Sequence, residues 1–420
     1  MQKTLHPTGK RIWAHNFNLD HIFESSITWS DITSGFLSSR FNEQGFLFDG
    51  SGTSAFFKKR EEQLAILGLI NTQFSKNYSE VLNPTLHFQT GDFRNMPLNR
   101  NLINEEFINL VNKAIIIAKL DWDSRELSWN FKQNELIKQN KSKILLALED
   151  FINYWSEKFY ELHFNEEALN LQFIEIYGLT EELTPQVPFQ EITVLQEESK
   201  IVNGKLFIDP IPVLLQLLSY STGCIFGRYG FDKPRLILAN QGETLQDFLT
   251  QVPNPSFIPD EDNIIPVLDA EWFNDDIVGR FKVFLKAAFG NEHFEENLQY
   301  IEDTIGKDIR KYFVKDFYND HIKRYKKRPI YWMFSSPKGH FKALIYMHRY
   351  QPDLCCKLLN DYLQAFISKL EAARQTQTML SLREDISARE KTVAIKEIDK
   401  QELMLKDCRE YEKTLFNIAT

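Results

Sequence analysis

Residues 307–332, KDIRKYFVKDFYNDHIKRYKKRPIYW, hold nine Lys or Arg interleaved with aromatic side chains. Lys323, Arg324, Lys326, Lys327 and Arg328 fall within one or two turns of chain. Such a run can sit on phosphates while Tyr and Trp stack or pack beside it. It can equally be a basic helix end before Pro329 whose aromatics serve the core. The whole chain is acidic, with a formal net charge of −9 over 420 residues. A protein of that balance does not coat nucleic acid by bulk charge, so any phosphate contact is confined to local basic surface.

Other chemistries leave little trace. Methyl transfer to the amino group of adenine needs a Gly-containing strand–turn–helix for its cofactor. It also needs an [DNS]-P-P-[YFW] loop whose aromatic stacks on the flipped base. Neither occurs; the nearest string, Asn254-Pro255-Ser256-Phe257, lacks the second proline. No GxxxxGK[ST], HExxH, HxE…CxxC or GxSxG occurs either. Glu149, Asp150, Glu175 and Asp209 read as solvated faces or helix caps, and the histidines are scattered. Cys224, Cys355, Cys356 and Cys408 form no CxxC pair and read as reduced structural thiols. No catalytic residue and no metal ligand is assigned, and no cofactor is expected on this chain.

The elements that must position these groups follow from composition and periodicity. With 43% hydrophobic and 25% charged residues, and 34 Phe, 15 Tyr and 7 Trp, the chain can build more than one core. Its length suggests two to four units at roughly 100–200 residues each. The opening MQKTLHPTGKRIWAHNF has no apolar run of the signal-peptide kind, and no stretch reaches the ~20 apolar residues that span a bilayer. The expectation is a cytoplasmic protein with no membrane contact. Across residues 27–57, Ile27, Trp29 and Ile32, then Phe36, Leu37 and Phe41, then Phe46 and Phe48, read as strands of a small sheet. A helix is expected from Glu61 to about Tyr78, a strand at Leu86–Gln89 and a turn at Thr90-Gly91-Asp92. Residues 102–176 read as mainly helical, and the Pro-bearing 182–194 breaks that region. A second mixed unit follows over 205–350, with a loop at Gln251–Asp262. Residues 353–415 lack Pro and Gly, and Leu359, Leu363, Phe366 and Leu370, continued by Leu382, Ile386 and Val393, predict helical arms or a loose coiled coil. The fold class is therefore α+β, mainly helical.

Several long strings carry a resemblance. IAKLDWDSRELSWNF (117–131), LSYSTGCIFGRYGFD (218–232), FIPDEDNIIPVLDAEWFNDDIVGRF (257–281) and KRPIYWMFSSPKGHFKALIYMHRY (327–350) are similar to the PglX family of BREX phage-defence systems. ITWS (27–30) and LNPTLHFQTGDFRNMPL (82–98) resemble that family's target-recognition region. The family is a site-specific adenine-N6 DNA methyltransferase whose catalytic domain comes first. The chain resembles the C-terminal portion, so the S-adenosylmethionine site and NPPY loop of the full-length family map to no residue here, and the chain alone is expected to be inactive.

The resemblance implies four regions: a small mixed, target-recognition-like unit over 1–100, a helical spacer over 101–200, a second mixed domain with the basic-aromatic segment over 201–352, and long helical arms over 353–420. It makes Trp29, Ser30, Arg40, Gln89 and Arg94 candidate base readers, since Arg and Gln suit bidentate contacts to guanine and adenine. Lys323, Arg324, Lys326, Lys327 and Arg328 become candidate phosphate contacts. The implied partners are double-stranded DNA, a catalytic half in cis or trans, and other BREX components. Two other readings stay open: a complete enzyme with its own cofactor site, and an assembly protein whose helical arms dock partners without reading DNA.

Overall fold

The structure is a computed structural model and describes residues 4–5, 12–14, 18–32 and 37–419. Phe36 and most of the N-terminal string lie outside the described residues. The architecture is α+β and mainly helical, with small antiparallel sheets. The chain forms two compact units, each of two stretches: Met1–Asp121 with Tyr154–Phe207, and Trp122–Asn153 with Ile208–Thr420.

In the first unit, β1 (Thr4–Leu5) pairs with β2 (Ile12–Ala14). β3 (Ser26–Ser30) is the central strand of an antiparallel sheet, between β4 (Ser39–Asn42) and β5 (Gly52–Ala55). The two-residue period puts Ile27 and Trp29 on the buried face and Thr28, Ser30 and Arg40 on the other. Phe46 and Phe48 are not strand residues. The Asp49 carboxylate accepts from the Ser51 (3.0 Å) and Gly52 (2.7 Å) amides, and this turn delays the third strand to Gly52.

The single helix expected over Glu61–Tyr78 is two, α1 (Arg60–Ile70) and α2 (Gln73–Leu82). Asn71 Nδ2 donates to the Leu67 carbonyl (2.9 Å) and Thr72 Oγ1 to that of Leu69 (2.7 Å), so side chains satisfy the end of α1. Thr72 then caps α2, accepting from the Ser75 amide. Leu86–Gln89 makes only an isolated bridge, His87 to Ile32. The turn expected at Thr90 instead opens α3 (Thr90–Arg94), because the Asp92 carboxylate accepts from the Gln89 amide at 2.8 Å. α4 (Glu105–Asp123) lies so close to α1 that a Cβ built on Gly68 would stand 2.6 Å from Phe107 and 2.7 Å from Val111. Only a residue without a side chain fits there.

The chain leaves the first unit near the end of α4, forms α5 (Glu135–Lys138), and returns within α6 (Ile144–Tyr177). Leu169 and Phe173 of α6 complete the core made by Leu64, Leu67, Leu69, Phe107 and Val111. Val187, Ile192 and Val194 of the Pro-bearing segment pack on Ile117, Phe159 and Leu162. The hairpin of β6 (Ser199–Val202) and β7 (Lys205–Ile208) follows.

The second unit continues with α7 (Pro210–Ile225), which Asp209 caps, and α8 (Leu245–Gln251). β8 (Ile265–Pro266), α9 (Ile277–Phe289), α10 (Phe294–Ile305), α11 (Ile309–Lys315) and α12 (Phe317–Arg324) come next. β9 (Tyr331–Ser335) and β10 (Lys342–Tyr346) form a hairpin, and β8 pairs with the other side of β10. α13 (Leu354–Lys357), a π-helical turn at Leu358–Leu363, α14 (Gln364–Ser381) and α15 (Ala388–Ala419) end the chain. Leu359, Leu363, Phe366 and Leu370 are buried as expected, against Met404, Leu405, Cys408, Tyr411 and Leu415 of α15. The seam does not run on through Leu382 and Val393, which are 76% and 55% exposed beside the turn between the helices. No helix among the described residues is long and apolar enough to cross a membrane.

One carboxylate ties α15 to the β9–β10 turn. Asp407, 2% exposed, accepts from the Ser336 hydroxyl (2.5 Å), the Lys338 amide (2.9 Å), the His340 amide (3.3 Å) and His340 Nδ1 (3.0 Å). Burial works to raise its pKa, but these hydrogen bonds together outweigh it and hold the carboxyl below its ordinary range.

Two stability predictions follow from these contacts. Gly68→Ala forces Phe107 and Val111 aside and lowers stability by about 1–3 kcal/mol, read as a fall in urea midpoint. Asp407→Asn removes a buried charged acceptor and costs about 1.5–3 kcal/mol at neutral pH. Because the folded pKa of Asp407 is depressed, its contribution is complete above the unfolded carboxyl pKa of about 3.9 and is lost as pH falls through the folded value. Urea midpoints measured from pH 6 downward should therefore converge for the wild type and Asp407→Asn below about pH 4.

Candidate nucleic-acid interface

In the first unit the candidate base readers divide. Trp29 is 4% exposed, donates from Nε1 to the Phe88 carbonyl at 2.9 Å and stacks on Phe93 with centroids 4.5 Å apart. It is a core pillar. The segment around it is drawn over the end of β3: the Phe88 amide donates to the Asp31 carbonyl (2.8 Å), and His87 Nδ1 lies 3.2 Å from the Asp31 carboxylate. Exposed Ser30 and Gln89 thereby meet at the end of β3, with exposed Arg94 closing α3 one turn beyond. Arg40 is exposed on the outward face of the sheet, opposite Thr28. Ser30 and Arg40 thus share the outward face of the sheet, opposite Trp29, while Gln89 and Arg94 lie at the two ends of α3. Lys58, Lys59 and Arg60, a basic run absent from the expected residues, are exposed where β5 leads into α1. Three consecutive cations in an acidic chain are the signal that marks them.

In the second unit the segment 307–332 separates into structural and surface parts. Tyr312, Phe313, Phe317, Tyr325 and Tyr331 are buried in the core, whereas Trp332 is 52% exposed. Arg310 pairs with buried Asp276 at 2.5 Å and donates to the Leu268 and Ala270 carbonyls (both 3.1 Å). Lys307 pairs with Asp316 at 2.7 Å. Lys323, Lys326, Lys327 and Arg328 are exposed, and among the described residues no carboxylate lies within ion-pair distance of them. Arg324 is half-buried and its charge acts on the interior carboxyl of Glu126.

The turn that carries these cations is strained. α12 ends as the Lys326 amide donates to the Lys323 carbonyl (3.0 Å) and the Lys327 amide to that of Ile322 (2.8 Å). The next two residues, Lys326 and Lys327, both sit in the left-handed region, with φ of 50° and 64°. A side chain there costs about 1–2 kcal/mol per residue, which is why glycine or asparagine is the usual choice. Cations beside a helix C-terminus recover part of that cost through the helix dipole.

Beneath the turn lies a buried polar cluster to which the strings 117–131, 218–232, 257–281 and 327–350 each contribute. Glu126 Oε2 accepts from the Ser219 hydroxyl (2.8 Å) and the Tyr325 hydroxyl (3.2 Å). Arg228 donates to the Tyr229 (3.1 Å) and Tyr346 (2.8 Å) hydroxyls, and Asn263 joins through both polar groups of the Tyr346 backbone (3.1 Å each). Burial raises the Glu126 pKa, opposed by the Arg324 charge, the Ser219 hydrogen bond and the Arg228 charge. His321 Nε2 accepts from the Ile330 and Tyr331 amides (3.1 Å each). Burial, then the charges of Arg324 and Arg228, push that imidazole down to about 3, so it stays neutral and keeps its acceptor. The cluster fixes the path from α12 into β9 and so aims the basic turn.

No group of three or more His, Cys, Asp or Glu able to hold a metal occurs among the described residues. The Asn254–Phe257 string has no aromatic to offer a base: Phe257 is 5% exposed, packed edge-on against Phe231 and Phe284. Replacing both Lys326 and Lys327 with Gly should leave thermal stability unchanged or raise it by up to about 1 kcal/mol per site, since the left-handed strain is relieved.

No family model matches the chain. An "Adenine-specific methyltransferase PglX" of Lacticaseibacillus casei (strain Zhang) is 35% identical over 379 residues, covering 86% of this chain and 30% of that protein. An "Adenine-specific methyltransferase BrxX" of Escherichia coli O9:H4 (strain HS) is 33% identical over 381 residues, covering 84% and 31%. The chain spans less than a third of the length of these curated relatives.

Proposed function

We propose, since this chain is a partial PglX-like protein, that it is the DNA-recognition portion of a site-specific adenine-N6 methyltransferase of a BREX phage-defence system. In this reading it binds duplex DNA and positions it for S-adenosylmethionine-dependent methylation by a catalytic domain supplied in cis or in trans. Its residues hold no cofactor themselves. Lys323, Lys326, Lys327 and Arg328 contact phosphates, and Ser30, Arg40, Gln89 and Arg94 read base edges. The observation that carries the reading is the pair of left-handed lysines. Glycine would relieve the local cost of two successive left-handed residues, whereas this turn carries two cations with no ion-pair partner among the described residues.

The test is duplex binding by fluorescence anisotropy across a salt series, on the chain together with its catalytic half. Binding should weaken steeply with salt. The Lys326→Gly, Lys327→Gly double variant should flatten the slope of log K against log salt by roughly 2, close to 0.9 per lost phosphate contact. Salt-independent binding, or no binding, would sink the reading.

A second reading rests on a separate observation. Met379, Leu382, Val393 and Ile395 leave apolar side chains exposed around the turn between α14 and α15. Arms that dock another defence component would present such a surface. Serine substitutions at these four positions that abolish complex formation and spare DNA affinity would assign the arms to partner contact.

A further inference from the structure

We infer that the outer edge of β9 is a docking site for an extended acidic peptide, which adds to the sheet as a further strand. The hydrogen-bond phase of the hairpin leads to this. The Met347 amide donates to the Ile330 carbonyl (3.1 Å) and the Ser336 amide to the Phe341 carbonyl (2.9 Å). With Trp332 opposite Ile345 and Phe334 opposite Ala343, those two pairs carry the ladder between β9 and β10. Tyr331, Met333 and Ser335 therefore turn their main-chain groups away from β10. The Val267 amide confirms the phase on the far side, donating to the Lys342 carbonyl at 2.9 Å.

β9 is the last strand of its sheet. The Tyr331 amide is taken by His321 Nε2. The Met333 amide and carbonyl and the Ser335 amide have no hydrogen-bond partner among the described residues. Trp332, 52% exposed, stands beside this open edge, and Ser335 is exposed at its end. An edge with free main-chain groups of this kind is a template for strand addition, in which main-chain bonds supply affinity and flanking side chains supply specificity.

Charge selects the occupant. No Asp or Glu occurs between Asp320 and Asp353, in a chain whose net charge is −9. Exposed Lys326, Lys327 and Arg328 precede the strand and exposed Lys338 follows it. A second copy of this chain would bring the same cations edge to edge, which is how natural sheets prevent self-pairing. A peptide with carboxylates toward both ends meets complementary charge at each.

The probe is a fluorescein-labelled peptide, Thr-Glu-Val-Glu-Val-Glu-Thr, titrated with the full chain and followed by anisotropy. Binding with roughly micromolar Kd is expected, weakened about tenfold or more in the lysine counterpart Thr-Lys-Val-Lys-Val-Lys-Thr. N-methylation of the peptide's pairing amides should abolish it, and Trp332→Ala should weaken it. Met333→Pro, tolerable because that amide points outward, should abolish binding while circular dichroism stays native. Persistence of binding after N-methylation would overturn the inference whether or not the protein variants fold. So would loss through Lys326→Gly, Lys327→Gly with no effect of Trp332→Ala and full displacement by duplex DNA, since the edge would then be only a phosphate patch. Self-association of the free chain that Met333→Pro removes would replace the peptide by a second copy and also overturn it.

Discussion

The hydrogen bonds converging on Asp407 set the geometry of the β9–β10 hairpin in the second unit. A carboxylate with four donors accepts them only when the Ser336–His340 turn is closed in one shape. That shape fixes the register of β9 on β10, hence which main-chain groups of β9 face the ladder and which face out. It also pins α15 beside α14, since Met404, Leu405, Cys408, Tyr411 and Leu415 flank the same stretch of helix. A polar contact of this sort specifies arrangement more than it adds net stability, because its cost when half-made exceeds its benefit when complete.

Trp29 plays the corresponding part in the first unit with different chemistry. Its ring fills the space under β3 while its single N–H reaches the Phe88 carbonyl, so the chain leading into α3 has one low-energy path. Polar residues at the surface of that path gain fixed positions from an aromatic that cannot itself reach solvent. The glutamate cluster under the basic turn repeats the pattern: buried groups with paired polar atoms define the direction of exposed ones.

The fold class and the apolar seam of Leu359, Leu363, Phe366 and Leu370 were legible because burial imposes a period that the residues display directly. The break at Asn71-Thr72 was not. Both residue types occur within helices, and their capping role depends on side-chain rotamers that no period encodes. Phe46 and Phe48 alternate as a strand would, yet the Asp49 turn prevails over the alternation. Composition singled out the basic run, but not its division. Arg310 is drawn to Asp276 and Arg324 toward Glu126, partners supplied by distant stretches of sequence. Trp29 looked like a surface reader for the same reason, since its inward neighbours Phe88 and Phe93 come from far along the chain.

The interleaving of the two units governs the order in which the protein can be completed during synthesis. Residues 1–121 emerge from the ribosome without Leu169 and Phe173, so the core around Leu64 and Phe107 stays open until α6 has been translated. Residues 122–153 are made early and belong with partners that follow residue 207. At roughly 5–20 residues per second, Glu126 waits some seconds for Ser219 and longer for Tyr325. Apolar side chains of the intervening helices are exposed on the nascent chain for that interval. The nested order of segments thus couples completion of both cores to the progress of translation.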